Sequence, residues 1–406
     1  MKSVYQTQLL TTTLATLFFS QFSYAAAFQF YELGTPLNGT AGVGQAALAS
    51  DASTSYYNPA GMTLLPTTQF MLGSQMTLSY ANFSPNVSNT IVGNNGSNAG
   101  GLLPGASGYF VYSYSPQLKL GVSLTMPYGG SLNYNDHWVG RFVVQQMVLY
   151  TLNLNPSIAY QFNDWFSLGA GFAVEYANLY QTLAVPLSPT VDGQATLKVD
   201  NASPGANLGV LFTPNPNTRL GVAYRSQIVH NLRGDISFFN VSSTPSATTK
   251  LVMPANIIAS LTQRISNQFT LLGEVGWANW SSMVNTVVQV DGFAATTPQH
   301  WHDTYRLGLG GQYQVVPSFM VEAGASFDSS PTSSSKRTPN LPMDQQIRLG
   351  VGLQYALLSA VNLGVSYEYL KLGTAAINNS SPQGVLAGSY SRNYANIIQA
   401  SLNVNC

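Results

Sequence analysis

Residues 152–162 read LNLNPSIAYQF, and apolar and polar side chains alternate along them. The apolar phase contains Leu152, Leu154, Ile158, Tyr160 and Phe162. Asn153, Asn155, Ser157, Ala159 and Gln161 fill the other phase, whereas Pro156 falls in the apolar phase. Successive side chains of a β-strand point to opposite faces. The stretch therefore predicts a strand with one apolar and one polar face.

The same alternation recurs along the chain after Thr67. It predicts fourteen strands, at residues 68–80, 108–115, 118–126, 147–162, 165–181, 204–213, 218–229, 251–265, 268–283, 303–315, 318–328, 343–356, 359–371 and 392–406. A tilted strand needs about 9–11 residues to cross a bilayer, and most of these segments provide them. An even number of strands lets a meander close into a barrel with both chain ends on one side.

The predicted connections alternate between short turns and long loops. Asn163-Asp164 and Ser266-Asn267 are typical of the short turns. The long connections are residues 81–107, 127–146, 182–203, 230–250, 284–302, 329–342 and 372–391. Outer-membrane barrels place short turns in the periplasm and long loops outside. The lengths of the connections therefore support the strand order independently of the face pattern.

The composition indicates a membrane protein without spanning helices. Charged residues make up 7% of the chain, against about 25% in soluble globular proteins. After the N-terminus there is no run of about 18 apolar residues, so no helical span is predicted. We therefore predict an all-β fold, a 14-stranded antiparallel transmembrane β-barrel of the Gram-negative outer membrane. The net charge of zero gives no argument for nucleic-acid binding.

The N-terminal residues do not follow the strand pattern. Residues 1–25 are predicted to be a signal peptide, with Lys2 before an apolar stretch and Ser23-Tyr24-Ala25 as cleavage site. Residues 26–66 are too few to form their own core. A water-filled porin usually has more than fourteen strands and needs no such segment. We therefore expect residues 26–66 to fold into the lumen of the barrel, residues 67–406, as a plug or hatch.

Seven charged residues lie on the polar phase of the predicted strands. They are Glu175, Arg225, Glu274, Arg306, Glu322, Arg348 and Glu368. A lipid-facing Arg or Lys at mid-depth costs about 2–4 kcal/mol. These side chains are therefore expected to point into the lumen and to form ion pairs that brace the barrel. The alternative is that they line a polar route for the headgroup of a solute.

Short motifs occur in a fixed order along the mature chain. They include Ala26-Ala27-Phe28-Gln29-Phe30, Asn58-Pro59-Ala60, Met126-Pro127-Tyr128-Gly129, Trp138-Val139-Gly140-Arg141, Tyr224-Arg225-Ser226, Asp303-Thr304-Tyr305-Arg306 and Phe327-Asp328-Ser329-Ser330-Pro331. Their order resembles that of the outer-membrane long-chain fatty-acid transporter family, the FadL type, which includes aromatic-hydrocarbon uptake members. The resemblance implies a fourteen-stranded barrel with a hatch. It also implies passive uptake through a loop groove and a pocket above the hatch, with lateral exit at a kink in the third strand.

Two motifs have structural roles in this scheme. Pro127, Gly129 and Gly130 provide the kink of the third strand, because Pro lacks a ladder donor and Gly weakens a strand. The alternative is that Pro127 ends the strand at the outer rim. Asn58, Pro59 and Ala60 are expected to anchor the immobile part of the hatch through side-chain amide bonds and a fixed turn. Residues 28–33 are then the part that moves.

The candidate ligand-binding residues are apolar, with a few polar groups. They are Phe28, Phe30, Tyr31, Leu33, Trp138, Arg141, Phe142, Val144, Met147 and His302. Those near Trp138 form an apolar loop patch with Val143 and Val148, which we interpret as a landing surface. Packing of the hatch and of a loop helix would explain the same residues. For a carboxylate headgroup the candidates are Arg141, Arg225, Arg233 and His302.

Three functions remain open at this stage. Long-chain fatty-acid uptake comes first, and an aromatic-hydrocarbon channel second, because Asn178 and Gln181 stand where family members can carry Arg. A general porin is third. No nucleophile motif surrounds the four histidines, so an enzyme is not expected. His300 and His302 are too few for a metal site. We expect a monomer without cofactors, in contact with outer-membrane lipid and lipopolysaccharide.

Overall fold

The computed structural model describes residues 28–31, 33–188, 191–238, 244–283, 285–290, 293–298, 301–381 and 383–406. The predicted signal peptide, residues 1–25, lies outside these ranges, as do Ala26, Ala27 and His300. None of the helices in the described ranges is long and apolar enough to span a membrane.

The described residues contain twenty β-segments that join into one sheet of fourteen barrel strands, six of them split in two. In chain order the barrel strands are β1 (Gln69–Pro85); β2 (Leu102–Ser113); β3 (Leu118–Thr125) with β4 (Gly129–Asn133); β5 (Gln146–Asn163); β6 (Phe166–Ser188); β7 (Val191–Asn215); β8 (Thr218–Arg225) with β9 (Ile228–Phe238); β10 (Ser246–Met253) with β11 (Asn256–Arg264); β12 (Phe269–Ala278) with β13 (Asn285–Val290); β14 (Phe293–Pro298) with β15 (Thr304–Val316); β16 (Phe319–Asp328); β17 (Gln346–Leu358); β18 (Val361–Lys371) with β19 (Ile377–Ser381); and β20 (Gly384–Asn405). All pair antiparallel, and β20 pairs with β1 to close the barrel.

The alternating side chains lie on the two faces of the barrel as the sequence predicts. In β5, Leu152, Leu154 and Ile158 are exposed on the outside, while Asn153 and Asn155 are buried inside. An apolar outer face suits a lipid environment, and the pairing of β20 with β1 closes the sheet into a barrel. The predicted fourteen-stranded antiparallel barrel is confirmed.

Several predicted loops are in fact extensions of the sheet. The sequence predicts a loop at residues 182–203, but β6 and β7 pair as far as Ser188 and Val191, with a register shift between Pro186 and Ser188. Likewise β9 pairs with β10, and β13 with β14, inside predicted loops. Beyond the bilayer neither face meets lipid, so pairing can continue without the alternation on which the prediction relied.

Residues 33–65 pack against the inner face of the barrel. They contain three short helical segments, Pro36–Thr40, Thr54–Tyr57 and Pro59–Leu64. A further short helix, Trp280–Ser282, lies in the barrel wall. Inward-facing glycines of the strands allow this close approach. A Cβ at Gly221 would lie 1.8 Å from the carbonyl oxygen of Ala46, and one at Gly324 would lie 2.2 Å from that of Thr40.

Counted along the chain, three neighbouring barrel strands are interrupted at one level: strand 7 (β8 with β9), strand 8 (β10 with β11) and strand 9 (β12 with β13). Barrel strand 3 (β3 with β4) is interrupted above the hatch. Arg225, the last residue of β8, lies opposite Asn256, the first residue of β11. The amide of Asn279, just after β12, donates to the carbonyl of Ala255 at 2.8 Å. In barrel strand 3 the interruption covers residues 126–128. The hatch lies on the short-turn side of these breaks.

Candidate functional site

The inner face of the barrel changes from polar to apolar above the hatch. Along β5 the inward residues are Asn155, Asn153 and Thr151, followed by Leu149 and Met147. Neighbouring strands add apolar inward residues at the same height: Ala177, Val199, Leu232 and Leu251. The outer half of the lumen therefore offers an apolar environment, which a channel for ions or sugars would not need.

An apolar cavity of about 90 Å³ lies in this part of the lumen. Its apolar lining includes Phe28, Phe30, Leu132, Met147, Leu149, Leu341, Met343, Leu370 and Leu372. A dry cavity of about 150 Å³ holds benzene. The cavity is therefore smaller than one aromatic ring requires, and a longer ligand can enter only if part of the lining moves.

The wall beside the cavity has a gap between barrel strands 2 and 3. In the described residues the ladder between β2 and β3 ends at Gly108 and Leu124, and β4 pairs with β5. Pro127 lies in the break and has no N–H to donate to a neighbour. Above the break, the Asn133 amide donates to the carbonyl of Ala99 at 2.9 Å. The predicted kink residues thus lie at a real interruption of the barrel wall.

Residues 28–30 form a short strap across this gap. The Phe30 amide donates to the carbonyl of Pro127 at 2.8 Å, and the Gly129 amide donates to that of Phe28 at 3.1 Å. The Phe28 ring packs edge-on against Tyr128 at 5.9 Å and Trp280 at 5.2 Å between ring centroids. Two backbone hydrogen bonds thus join the strap to the broken strand, and the packing of Phe28 adds to them.

Tyr31 and Leu33 contact polar side chains of the barrel wall. The guanidinium of Arg306 lies 4.0 Å from the centroid of the Tyr31 ring, and that of Arg348 lies 5.0 Å from it. The carbonyl of Leu33 accepts from Ser107 Oγ at 2.6 Å and Tyr109 Oη at 2.8 Å. Neither residue lines the apolar cavity. Both belong to the fixed hatch, so the movable part suggested by the structure is shorter than the predicted residues 28–33.

The predicted landing surface around Trp138 is mostly buried. The Trp138 ring stacks on Tyr134 at 3.8 Å, and its Nε1 donates to the carbonyl of Val144 at 2.7 Å. Val144 and Met147 are also buried, and Met147 lines the cavity. Phe142 is half-buried. A large apolar loop gains more by packing on the barrel rim than by facing water, so most of this patch is covered by the protein itself.

The polar candidates from the loops do not reach the cavity. Arg141 pairs with Asp192 at 2.7 Å and lies 4.4 Å over the Phe142 ring. Arg233 and His302 are exposed. In the described residues no three His, Cys, Asp or Glu side chains lie close enough together to hold a metal ion.

A buried ion network joins the hatch to barrel strands 9 to 13. Arg306 pairs with Glu274 and Asp328, each at 3.0 Å, while Arg348 pairs with Asp328 and, at 3.5 Å, with Glu368. Arg306 Nη2 also donates to the carbonyl of Ala41 at 2.6 Å. Asp328 was missed as a pairing partner, although it ends a strand in the inward phase. The network holds the hatch by charge-assisted hydrogen bonds.

Three other charged residues correct the predicted set of ion pairs. Glu322 accepts from the amides of Gln312 at 3.1 Å and Gln354 at 2.9 Å. Glu175 accepts from Asn153 at 2.9 Å and lies 3.2 Å from His230 Nε2. Arg225 Nη2 donates to the carbonyl of Tyr56. Within the described ranges, neither Glu322 nor Arg225 has a partner of opposite charge, because amides, carbonyls and an aromatic ring occupy those positions.

The Asn58 side chain joins three parts of the molecule. Its Nδ2 donates to the carbonyls of Ala46 at 2.6 Å and Val210 at 3.0 Å, and its Oδ1 accepts from the Ala60 amide at 3.1 Å. Pro59 begins the following 3₁₀ helix, where no backbone N–H is needed. Hatch, wall and turn thus meet at one amide group.

A clamp that was not predicted from the sequence lies in the loop before β17. Arg337 donates to the carbonyls of Met343 at 2.8 Å and Ala376 at 2.7 Å, and pairs with Asp344 at 3.0 Å. Burial lowers the pKa of its guanidinium, and Asp344 opposes that shift. The clamp positions Leu341 and Met343 in the cavity wall. The single Arg in a loop otherwise rich in Ser, Thr and Pro was the available signal.

Comparisons with known proteins place this geometry in context. The model of the family described as "Outer membrane protein transport protein (OMPP1/FadL/TodX)" matches residues 16–405. The long-chain fatty acid transport protein of Salmonella typhi is 27% identical over 387 residues, covering 86% of this chain and 88% of the relative. The protein of the same name from Escherichia coli K12 is 26% identical over 398 residues, covering 86% and 88%.

Solved structures share the fold. A Pseudomonas aeruginosa FadL homologue superposes with a TM-score of 0.87 at 20% identity, over 94% of this chain and 100% of that chain. The P. putida toluene transporter TodX superposes with a TM-score of 0.71 at 15% identity, over 94% and 99%.

Proposed function

We propose, from the premise that this chain belongs to the outer membrane protein transport family (OMPP1/FadL/TodX), that it mediates the passive uptake of long-chain fatty acids or similar hydrophobic molecules. One observation carries the proposal. An apolar cavity adjoins an unpaired stretch of barrel wall, and the strap of residues 28–30 lies between cavity and break.

The proposed route follows the polarity of the lumen. A ligand passes the outer loops and enters the apolar upper lumen, where each buried methylene contributes about 0.8 kcal/mol. The hatch below is tightly packed and is bonded to the wall by buried polar groups, which disfavours onward movement of an apolar chain. Displacement of the strap would open the gap between barrel strands 2 and 3. The ligand would then leave sideways into the membrane.

A neutral aromatic hydrocarbon is the second candidate ligand. The cavity volume of about 90 Å³ favours it, because only a small expansion would admit one ring. The fatty-acid candidate is supported instead by the two relatives named as long-chain fatty acid transport proteins. We also propose that the chain acts as a monomer without enzymatic activity or cofactor, surrounded by outer-membrane lipid and lipopolysaccharide.

Ligand binding and uptake distinguish these candidates. We expect the full-length protein to bind radiolabelled oleate more tightly than toluene, and a variant lacking residues 27–30 to lose the preference, because the cavity loses Phe28 and Phe30. Binding is measured in lipid nanodiscs and uptake in cells that lack their own transporter. Toluene binding without oleate binding would favour the second candidate. Free conduction of small ions by the unmodified protein would contradict both.

Lateral exit predicts a specific effect of bulk at Gly130. A Cβ at this position meets no heavy atom within 4 Å, so Gly130→Phe fits the fold and fills the gap. We expect a severalfold lower uptake rate, and ligand binding is measured alongside because Gly130 also lines the apolar cavity. Gly101→Phe is the matched control, because a Cβ there also meets nothing within 4 Å. Equal uptake by the two variants would rule out exit beside Gly130.

A further inference from the structure

A second, smaller pocket lies on the other side of the strap. Its volume is about 30 Å³, roughly that of one or two water molecules. The strap residues Gln29 and Phe30 line this pocket as well as the apolar cavity. The wall of the barrel contributes Arg225 and Asn256. The two pockets are therefore separated by the segment proposed to move.

Two buried donors in this pocket have no acceptor. Arg225 Nη1 and Asn256 Nδ2 are buried without a hydrogen-bond partner in the structure. Asn256 is 8% exposed. The two residues are direct partners in the ladder between β8 and β11, so their side chains lie side by side on the inner face. Buried donors of this kind are normally paired, so the two groups are suited to bind an added acceptor.

The charge of Arg225 is also not neutralised locally. Its Nη2 donates to the carbonyl of Tyr56 at 2.6 Å, and its guanidinium lies 3.8 Å from the centroid of the Tyr56 ring. Across the described part of the chain, no carboxylate pairs with it. By contrast, Arg306 and Arg348 both have carboxylate partners. Arg225 is thus held in place by neutral groups and keeps one donor edge and its charge available.

We propose that Arg225 and Asn256 form a subsite for the carboxylate headgroup of a fatty acid whose acyl chain occupies the apolar cavity. A carboxylate has only acceptors, so it matches two donors and a positive charge. The inference rests on the proposed function and specifies its ligand as an anionic amphiphile. Because the strap separates the two pockets, a ligand that spans both displaces residues 28–30.

The subsite predicts different behaviour for an acid and an alcohol of equal chain length. Palmitate and hexadecanol share the apolar contacts, but hexadecanol lacks the charge. Asn256→Asp would place a fixed carboxylate beside Arg225 and occupy the subsite from within. We expect this variant to bind palmitate about tenfold more weakly or worse, with hexadecanol affinity within about twofold of the original. Arg225→Met should give the same pattern. Asn217→Asp, in the exposed turn before β8, is the matched control.

Binding is measured with the full-length chain in nanodiscs, and assembly of each variant is checked by heat-modifiable gel migration. If the variants lost affinity for palmitate and hexadecanol equally, or for neither, the proposed subsite would be overturned, and water would be its only occupant. If the original protein bound neither ligand, the proposed function itself would fail.

A second experiment uses palmitate bound to the unmodified protein, so its result does not depend on whether a variant folds. The ¹³C-carboxyl signal of bound palmitate should titrate at lower pH than in the same nanodiscs without protein, and an unshifted titration would also overturn the subsite.

Discussion

Replacing Arg306 by methionine is expected to release the hatch around Ala41 and to make the barrel conduct small ions. The guanidinium bonds to Glu274, to Asp328 and to the carbonyl of Ala41, and it lies against the Tyr31 ring. Glu274 in turn accepts from the amides of Gly44 at 2.9 Å and Gln45 at 3.0 Å. Arg306 therefore holds Ala41 directly, and through Glu274 it supports the bonds to Gly44 and Gln45.

The size of the effect follows from burial. Removing one partner of a buried ion pair costs about 3–5 kcal/mol, because the remaining charge stays buried without compensation. Asp328 keeps Arg348, whereas Glu274 keeps only neutral donors. Movement of the hatch away from the wall lets water reach Glu274 and relieves this cost. The barrel ladder does not depend on the pair, so the strands should stay assembled.

Planar-bilayer recordings provide the measurement. We expect the unmodified protein to be nearly silent, and Arg306→Met to show frequent conducting events and faster proteolysis within residues 36–47. Arg264→Met is the control, since Arg264 is exposed beside a turn. Adding Glu274→Gln to Arg306→Met removes the unpaired buried charge. The double variant should therefore show fewer conducting events than Arg306→Met alone. A single Arg306→Met variant as silent and as protease-resistant as the original would show that the network does not hold the hatch.

Substituting Gly221 by leucine is expected to have the second large effect. A Cβ there would lie 1.8 Å from the carbonyl oxygen of Ala46 and 2.4 Å from its carbon. That same carbonyl accepts the Asn58 hydrogen bond at 2.6 Å. Backbone atoms fixed in this way cannot yield as a flexible side chain can. The overpacking should cost at least about 1–3 kcal/mol and separate Asn58 from its partner.

Thermal unfolding followed by heat-modifiable migration tests this prediction. The midpoint should fall for Gly221→Leu and stay near the original for Gly273→Leu, where the nearest heavy atom to a Cβ is Leu261 Cβ at 4.0 Å. Palmitate binding should weaken only in the first variant, because the hatch forms the floor of the ligand site. Equal midpoints for the two variants would mean that the hatch backbone does not need the space at Gly221.

The candidate site was only partly predictable from the sequence. Phe28, Phe30 and Met147 do line the apolar cavity, and Pro127 does lie in a break of the third strand. Each has a local signal: large apolar residues in the mature N-terminal segment, or a proline where a ladder donor is expected. Trp138 and Val144 gave the same apolar signal but are buried at the barrel rim. A local pattern does not distinguish a ligand-binding apolar surface from one covered by the protein itself.

The sequence by itself determined the fourteen strands, their order and the face on which each charge lies. These properties follow from a period of two residues, which any short stretch shows, and from the cost of a charge in lipid. The tertiary structure alone decided which groups meet. Arg306 reaches Ala41 across 265 positions of sequence, and Arg225 meets Tyr56 and Asn256 but no carboxylate in the described residues. Such meetings depend on the register of the closed barrel and on the path of the hatch through it, and neither is set by nearby residues.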